Sequence, residues 1–455
     1  MKIKKITILL SLMVTVACTN LNSSYNQVQQ DYKIYQEISS EYTIEKEWWK
    51  EYKNDELNEI INYALKNNND MKKAAINVNK ALYQANLVGA DLVPSFSADI
   101  GSSASKNIKT GTNSTIKHGA SLSLNYELDL WKKLSNTASS KEWEYKATIQ
   151  DLEATKLTLI NNVVDTYFNI VYLNDMISIV NEKINEYKQI NAIVENKLKY
   201  GNVSSLEKLQ SDQSLVNLKN SLVSYETEKK SLEQILRNLL NLKPEEIIEI
   251  KMKNILEVKD IGVNLDIPLS VIANRPDVKA SEYRLNSAFK NAKATQNSVY
   301  PSVSLAASLS SSSNKVDSAL SVPIALGSIN INLPFLSWNT LKWNIKIDEA
   351  NYESVKLDFE SSIVKSLNEI DNYYNLYKKA SSDLEAQQEN YKYQSEIQRQ
   401  YKNRYNNGIV EFKIWLESLL DEKDAKLSLL ATKFSLIQAE NKIYQAIGGK
   451  ASKKR

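Results

Sequence analysis

Two hydrophobic periods alternate along this chain. From Pro276-Asp277 about twenty helix-compatible residues run to Tyr300-Pro301, where the pattern changes to strict alternation. Val303, Leu305, Ala307 and Leu309 then fall on one side, with Ser302, Ser304, Ala306 and Ser308 on the other. A change from helical period to period two at a proline predicts a helix feeding a strand. The same pattern runs earlier from Asn69-Asp70 through Val93-Pro94 to Phe96, Ala98 and Ile100. An offset of 207 residues separates Asp70 from Asp277, and the same 207 separates Pro94 from Pro301.

That offset holds throughout. A second alternating strand places Ala120, Leu122, Leu124, Tyr126 and Leu128 opposite Ser121, Ser123, Asn125, Glu127 and Asp129. Its counterparts are Ile329, Ile331, Leu333 and Phe335, while Trp131 maps to Trp338 and Gly201 to Gly408. The chain reads as a tandem duplication. Within the tract that follows Trp131, steps of four and three from Leu159 land on Val163, Thr166, Ile170, Leu173, Ile177, Val180, Ile184, Tyr187, Asn191, Val194 and Leu198. Only Thr166 and Asn191 break the apolar series, and a sustained 3.5-residue period predicts coiled-coil packing. At 1.5 Å rise such a tract would be about 100 Å long.

The expected organisation is a signal peptide (1–17), an N-terminal lipidated arm (18–54) whose polar stretch 19–45 is expected to be extended, and a first repeat (55–240). In that repeat, strands are expected near 95–102 and 119–129, and long helices near 131–199 and 204–240. A connector (241–268) leads to a second repeat (269–448), with strands near 302–310 and 324–336 and helices near 338–406 and 410–447. A basic tail (449–455) closes the chain.

Each strand is about ten residues with a Ser/Asn-rich face, which fits a transmembrane β-strand of about 9–11 residues. Trp131 and Trp338 lie where strands pass into helices, as interfacial aromatics do. Four strands cannot close a membrane barrel, and open sheet edges are not tolerated in hydrocarbon. The chain must therefore oligomerise, with eight strands in a dimer or twelve in a trimer. The wider barrel leaves a channel. The fold class is thus α+β membrane protein.

Composition narrows the chemistry. Ten Gly and seven Pro are too few for many short elements, so most elements are long. The net charge of +3, with no basic stripe interleaved with aromatics, gives nucleic-acid binding little support. One Cys and one His, His118, argue against disulfide, metal or acid–base chemistry. Lys2, Lys4 and Lys5 precede an apolar run, Ile6 to Ala17, that reads as a secretory signal. It ends at Cys18, which resembles a bacterial lipobox cysteine that becomes acylated, although Thr15 stands where Leu is preferred. Thr19, rather than Asp, follows it and points to the outer membrane.

Asn274-Arg275-Pro276-Asp277-Val278 and Val299-Tyr300-Pro301-Ser302-Val303 resemble the TolC-like outer-membrane efflux factor family, in particular its lipidated OprM/NodT-type branch. Trp48-Trp49 with Asp55-Glu56-Leu57, Tyr126 through Trp131, and Tyr405-Asn406-Asn407-Gly408 extend the likeness over nearly all of the mature chain. The resemblance implies a homotrimer with a twelve-stranded barrel continued by a helical periplasmic tunnel. It also implies a periplasmic adaptor and a proton- or ATP-driven inner-membrane pump as partners, with no cofactor. By the same resemblance Glu417 and Glu207 are candidate constriction residues at the tunnel entrance. Tyr200, Gly201, Asn407 and Gly408 are candidate adaptor-docking tips.

The leading expectation is a passive outer-membrane exit duct of a tripartite efflux system, carrying drugs, toxic compounds or metal ions. A type I secretion duct shares the architecture, and a periplasmic coiled-coil spacer lipoprotein is the alternative from another class. An enzyme is least expected, because no triad, metal spacing or phosphate loop accompanies the many carboxylates.

Overall fold

The computed structural model describes residues 2–106, 108–109, 111, 114–246, 249–252, 254–316 and 323–454, with side chains from residue 21 onward. The Cys18 side chain and residues 107, 110, 112 and 113 therefore lie outside the described residues. The first half runs α1 (Lys2–Ser40), β1 (Tyr42–Glu45), α2 (Asp55–Asn67), α3 (Asn69–Gly89), β2 (Ser95–Ser105), β3 (Thr115–Leu128), α4 (Lys133–Lys199) and α5 (Ser205–Leu240). The second runs α6 (Pro276–Asn297), β4 (Ser302–Ser313), β5 (Ile324–Asn332), α7 (Trp338–Asn406), α8 (Phe412–Ile447) and β6 (Lys450–Lys453).

Two compact units result, and each takes pieces of both repeats. One comprises Met1–Ile34, Ala74–Leu152 and Asp277–Ile363; the other comprises Tyr35–Lys73, Glu153–Pro276 and Val364–Arg455.

The first unit holds an antiparallel sheet in the order β2-β3-β4-β5, so the two duplicated hairpins pair through β3 and β4. The strands run further from the helices than the side-chain alternation implied. Ser103 still pairs with Lys117, and Ser105 with Thr115, because ladder bonds need backbone rather than apolar side chains. At the other end the strand expected over 324–336 stops at Asn332. Pro334 lacks an N–H for the ladder and begins a 3₁₀ turn, Pro334–Ser337.

The expectation of an extended N-terminal arm is corrected here: the segment is helical through Ser40. Leu21, Val28 and Tyr32 are buried, the Tyr25 ring stacks on Phe289 at 3.9 Å, and Tyr32 meets Phe359 edge-on at 4.9 Å. Their spacing of four, three and four is a helical stripe whose signal was diluted by Asn, Gln and Ser between the anchors.

In the second unit, the seam from Leu159 to Val194 supplies much of the core. Val163, Tyr167, Phe168 and Val171 are fully buried, packed with Trp48, Leu57, Ile61 and Leu236. Asn54 caps α2 by accepting the Leu57 N–H at 3.0 Å, and Tyr167 donates to Glu56 at 2.7 Å. Arg275 gives the Asn-Arg-Pro motif a physical role. Its buried guanidinium donates to the Ala446 carbonyl at 2.9 Å and to Glu369 at 2.8 Å, fixing the start of α6 to α7 and α8.

The expected basic tail is also partly a strand. Residues 450–453 pair antiparallel with 42–45, matching Tyr42 to Lys453 and Glu45 to Lys450. Gly448 and Gly449 turn the chain into this strand with φ of +87° and +140°. A Cβ on Gly449 would lie 2.5 Å from the Glu45 carbonyl oxygen. Gly449→Ala is therefore expected to destabilise this unit by about 1–3 kcal/mol, read as a lowered thermal midpoint of the detergent-purified protein. An unchanged midpoint would show that the strand pair is not seated as described.

Candidate functional site: strand layer and hairpin tips

The register of the four strands sorts their side chains into two faces. Phe96, Ala98 and Ile100 stand opposite Leu124, Leu122 and Ala120; Leu122, Leu124, Tyr126 and Leu128 stand opposite Leu309, Ala307, Leu305 and Val303. Leu305 and Val303 continue to Ile329 and Ile331. Directly opposed residues share a face, so these positions make one apolar layer across the sheet. It is exposed on the outer strands, where Ile100 is 90% and Ile329 69% accessible, and half-buried at Leu124, Tyr126, Val303 and Leu305. The other face carries Ser97, Asp99, Ser123, Asn125, Ser304, Ser308, Ser328 and Asn330, with Ala306, Ile324 and Leu326 as its apolar exceptions. An exposed aliphatic layer of this extent requires a non-aqueous neighbour.

Aromatic groups mark the helix-side edge of the layer. The Trp131 indole N–H donates to the Pro301 carbonyl at 2.8 Å, and its ring stacks on Tyr300 at 4.8 Å. Asn297 donates to the Trp131 carbonyl at 2.7 Å. The Asp129 carboxylate accepts the Leu134 and Ser135 N–H groups, both at 2.9 Å, satisfying donors at the start of α4. Trp131 thus binds one repeat to the other at the proline crossing. Trp338 opens α7 and is as exposed as Trp131.

The hairpin tips repeat one backbone motif. The Gly201 N–H donates to Leu198 O at 2.9 Å and Asn202 N–H to Lys197 O at 2.8 Å. In the second repeat Gly408 N–H donates to Tyr405 O at 2.9 Å and Ile409 N–H to Arg404 O at 2.8 Å. Both glycines are left-handed, with φ of +71° and +72°, which closes each helix and reverses the chain. Tyr200 is 82% exposed. Beside the second tip Tyr405, Phe412 and Trp415 form a ring cluster, with Tyr405 and Trp415 stacked at 5.2 Å.

Residues from the two tips meet. Ile190 and Val194 of α4 pack on Leu416 and Leu420 of α8, and Lys197 forms an ion pair with Glu411 that holds this carboxyl below its usual range. Higher up, Lys183 pairs with Asp424, and Lys423 reaches Glu182 at 2.6 Å and Glu186 at 3.4 Å. The two candidate constriction residues are placed differently from one another. Glu207 accepts the Ser204 N–H at 2.7 Å in a capping box at the start of α5. Glu417 is exposed on α8, with Lys413 3.6 Å away.

Sequence reasoning missed a buried polar knot that holds the connector. Glu440 of α8 is fully buried, accepts the Gly262 N–H at 2.8 Å, and lies near the Lys433–Asp260 ion pair; Tyr444 donates to the Gly262 carbonyl at 2.8 Å. A lone Glu on an otherwise apolar helical face is its only trace in the sequence. Burial, reinforced by Asp260, pushes the Glu440 carboxyl up to about 7 from its ordinary 4.5.

Residues 60–242 and 267–449 match the outer membrane efflux protein family. The chain belongs to that family. Its members are channels rather than enzymes, which places this protein in the outer membrane with its helical part in the periplasm. The two matched segments fall on the two repeats. The toxin and drug export protein A of Aggregatibacter actinomycetemcomitans is 48% identical over 454 residues, spanning 100% of this chain and 99% of that one. The cation efflux system protein CusC of Escherichia coli K12 is 23% identical over 414 residues, 88% of each chain. Among solved structures, the outer-membrane channel OprN superposes with a TM-score of 0.80 at 20% identity, over 89% of this chain and 93% of that one. The open state of the MtrE channel of Neisseria gonorrhoeae gives 0.77 at 19% identity, over 87% and 89%.

The raised Glu440 carboxyl has a definite consequence for stability. The folded efflux channel prefers the neutral form, so the unfolded chain releases this proton first as pH rises. The stabilisation is complete below about pH 4.5 and is lost as pH rises toward about 7, amounting to roughly 3 kcal/mol at most. Glu440→Gln is expected to flatten the fall in urea midpoint between pH 5 and 7. An equal slope in native and variant proteins would remove Glu440 as the source.

Proposed function

We propose that this protein is the outer-membrane exit duct of a tripartite efflux system. Three copies close a twelve-stranded barrel whose apolar layer faces lipid and whose Ser/Asn face lines a water-filled lumen. The helices continue the lumen through the periplasm as a coiled tunnel. The single observation that carries this reading is the exposed apolar layer on a sheet with two open edges. Oligomeric closure both buries those edges and leaves the polar face around water.

The duct supplies no chemistry and no energy, so an inner-membrane pump, proton- or ATP-driven, expels the cargo through a periplasmic adaptor. The paired tips around Gly201 and Gly408, with exposed Tyr200 and Asn407, form the docking end. Glu417, and less directly the capping Glu207, lie close enough to that end to ring the entrance in a trimer. Carboxylates so placed would favour cations and repel each other when the tube is closed. Cys18 carries the lipid anchor in this reading. The 48%-identical relative is a toxin and drug export protein. That supports a second use of the same duct, as the outer channel of a secretion system.

Purified protein is expected to migrate as a heat-modifiable trimer and to conduct ions across planar bilayers. Gly408→Val, which forces a β-branched residue to φ of +72°, should keep the trimer and its conductance but sharply reduce drug export from cells. A monomer without conductance would contradict the duct; normal export by the variant at equal abundance would contradict docking at the tip.

A further inference from the structure

Charge is distributed unevenly along the strands. From Ile100 to Tyr126 the sequence contains no Asp or Glu, yet it contains Lys106, Lys109, Lys117 and His118. The second hairpin repeats the bias: between Ser302 and Ile347 the one acid is Asp317, outside the described residues, and Lys315 stands just beyond β4. The remaining strand carboxylates are Asp99, in mid-β2 on the polar face opposite Ser121, and Glu127 at the helix-side edge, which takes Lys133 at 2.7 Å. The two edges of the apolar layer are therefore chemically different. The helix-side edge is aromatic, with Trp131 on Tyr300. The far edge is cationic and hydroxylated.

The register shows which of these cations follow the apolar layer. The column Phe96, Ala98, Ile100, Ser102, Ala104 on β2 leads directly to Lys106. On its neighbours Ser102 faces His118, and His118 faces Ser313, all on the apolar side. Ser102 Oγ lies 2.6 Å from His118 Nδ1, fixing the ring within that row. Lys315 follows Ser313 by two residues, and its N–H donates to Ser313 Oγ at 3.2 Å. Lys117 pairs with Ser103 on the opposite, polar face. Lys106, Lys109, Lys117 and Lys315 are exposed, and His118 is half-buried.

We infer that Lys106, Lys109 and Lys315, with His118 beneath them, form a rim that binds the phosphate groups of glycolipid in the outer leaflet. The inference rests on the barrel reading, which places this edge at the cell surface. Aromatic rings suit an interface of glycerol and ester groups. Ammonium groups that end an apolar column suit lipid whose headgroups carry phosphate, each Lys adding on the order of tenfold or less in affinity. Lys117, pointing to the polar side, takes no part.

The test uses the full-length, detergent-purified oligomer. Its melting temperature would be followed while titrating a bisphosphorylated outer-leaflet glycolipid, the same lipid with its phosphates removed, or inorganic phosphate. The phosphorylated lipid should stabilise the native protein, the dephosphorylated lipid weakly, and inorganic phosphate not at all. Combined Lys106→Ser, Lys109→Ser and Lys315→Ser should weaken the phosphorylated-lipid response roughly tenfold or more, whereas Lys117→Ser should leave it intact. Equal stabilisation by both lipids, an equal response from the triple variant, or a triple variant altered only in ion selectivity would overturn the inference. Impermeant maleimide labelling of Lys109→Cys on whole cells separates the two failures. No labelling would sink the barrel orientation, whereas labelling without phosphate-dependent stabilisation would sink the rim alone.

Discussion

The two unpaired edges of the β2-β3-β4-β5 sheet are the constraint on which this molecule depends. β2 has 11 residues and β5 has 9, and about half of the backbone groups of each point away from the existing partner. Each such group left unpaired in hydrocarbon costs several kcal/mol, so the two edges together cost tens of kcal/mol. That exceeds the net stability of ordinary domains, about 5–15 kcal/mol. The proposed pairing with other copies removes that cost, and the duplicated hairpins already pair two of their four edges within one chain through β3 and β4.

The helices follow from the same requirement. In the proposed barrel every strand must pass into something that leaves the membrane, and Pro94 and Pro301 stand at two such strand starts. At the second, Trp131 of the first repeat is bound to Tyr300 and Pro301 of the second, so the duplicated halves are fastened where sheet gives way to helix. At the periplasmic tips the halves meet again through Lys197 and Glu411 and the Ile190–Leu420 cluster. Within the second unit the 3.5-residue seam provides a long, regular contact. A duct needs walls that are rigid and ends that can respond, and ion pairs between α4 and α8 such as Lys197–Glu411 suit the second role.

Much of this was legible in the residue pattern because it is periodic. Alternation in Val303–Leu309 and the four-three steps from Leu159 are local signals, and the offset of 207 doubled the weight of each. What escaped was held by tertiary contact. The α1 anchors Leu21, Tyr25, Val28 and Tyr32 are separated by polar residues that resemble an extended arm. Strand β6 consists of Lys-Ala-Ser-Lys and exists because Tyr42–Glu45 offers it an edge. Glu440 matters because of Gly262, which is 178 residues away in the chain. At the candidate site, the tip glycines were legible from their place at helix ends. The capping of Ser204 by Glu207 was not recognised, because an acidic residue near a tip serves equally as cap or as pore charge. The roles proposed for Cys18 and Glu417 depend on lipid and on neighbouring copies rather than on contacts within one chain.

Disulfide cross-linking between the two free edges tests the central claim most directly. Ser97 on β2 would be replaced by Cys together with Ser328, Asn330 or Asn332 on β5, one pair at a time, all on the polar face. If copies close edge to edge, one register should yield a covalently closed trimer in outer-membrane preparations. Absence of cross-links in every register, or an open ladder of ever larger species, would contradict a closed barrel.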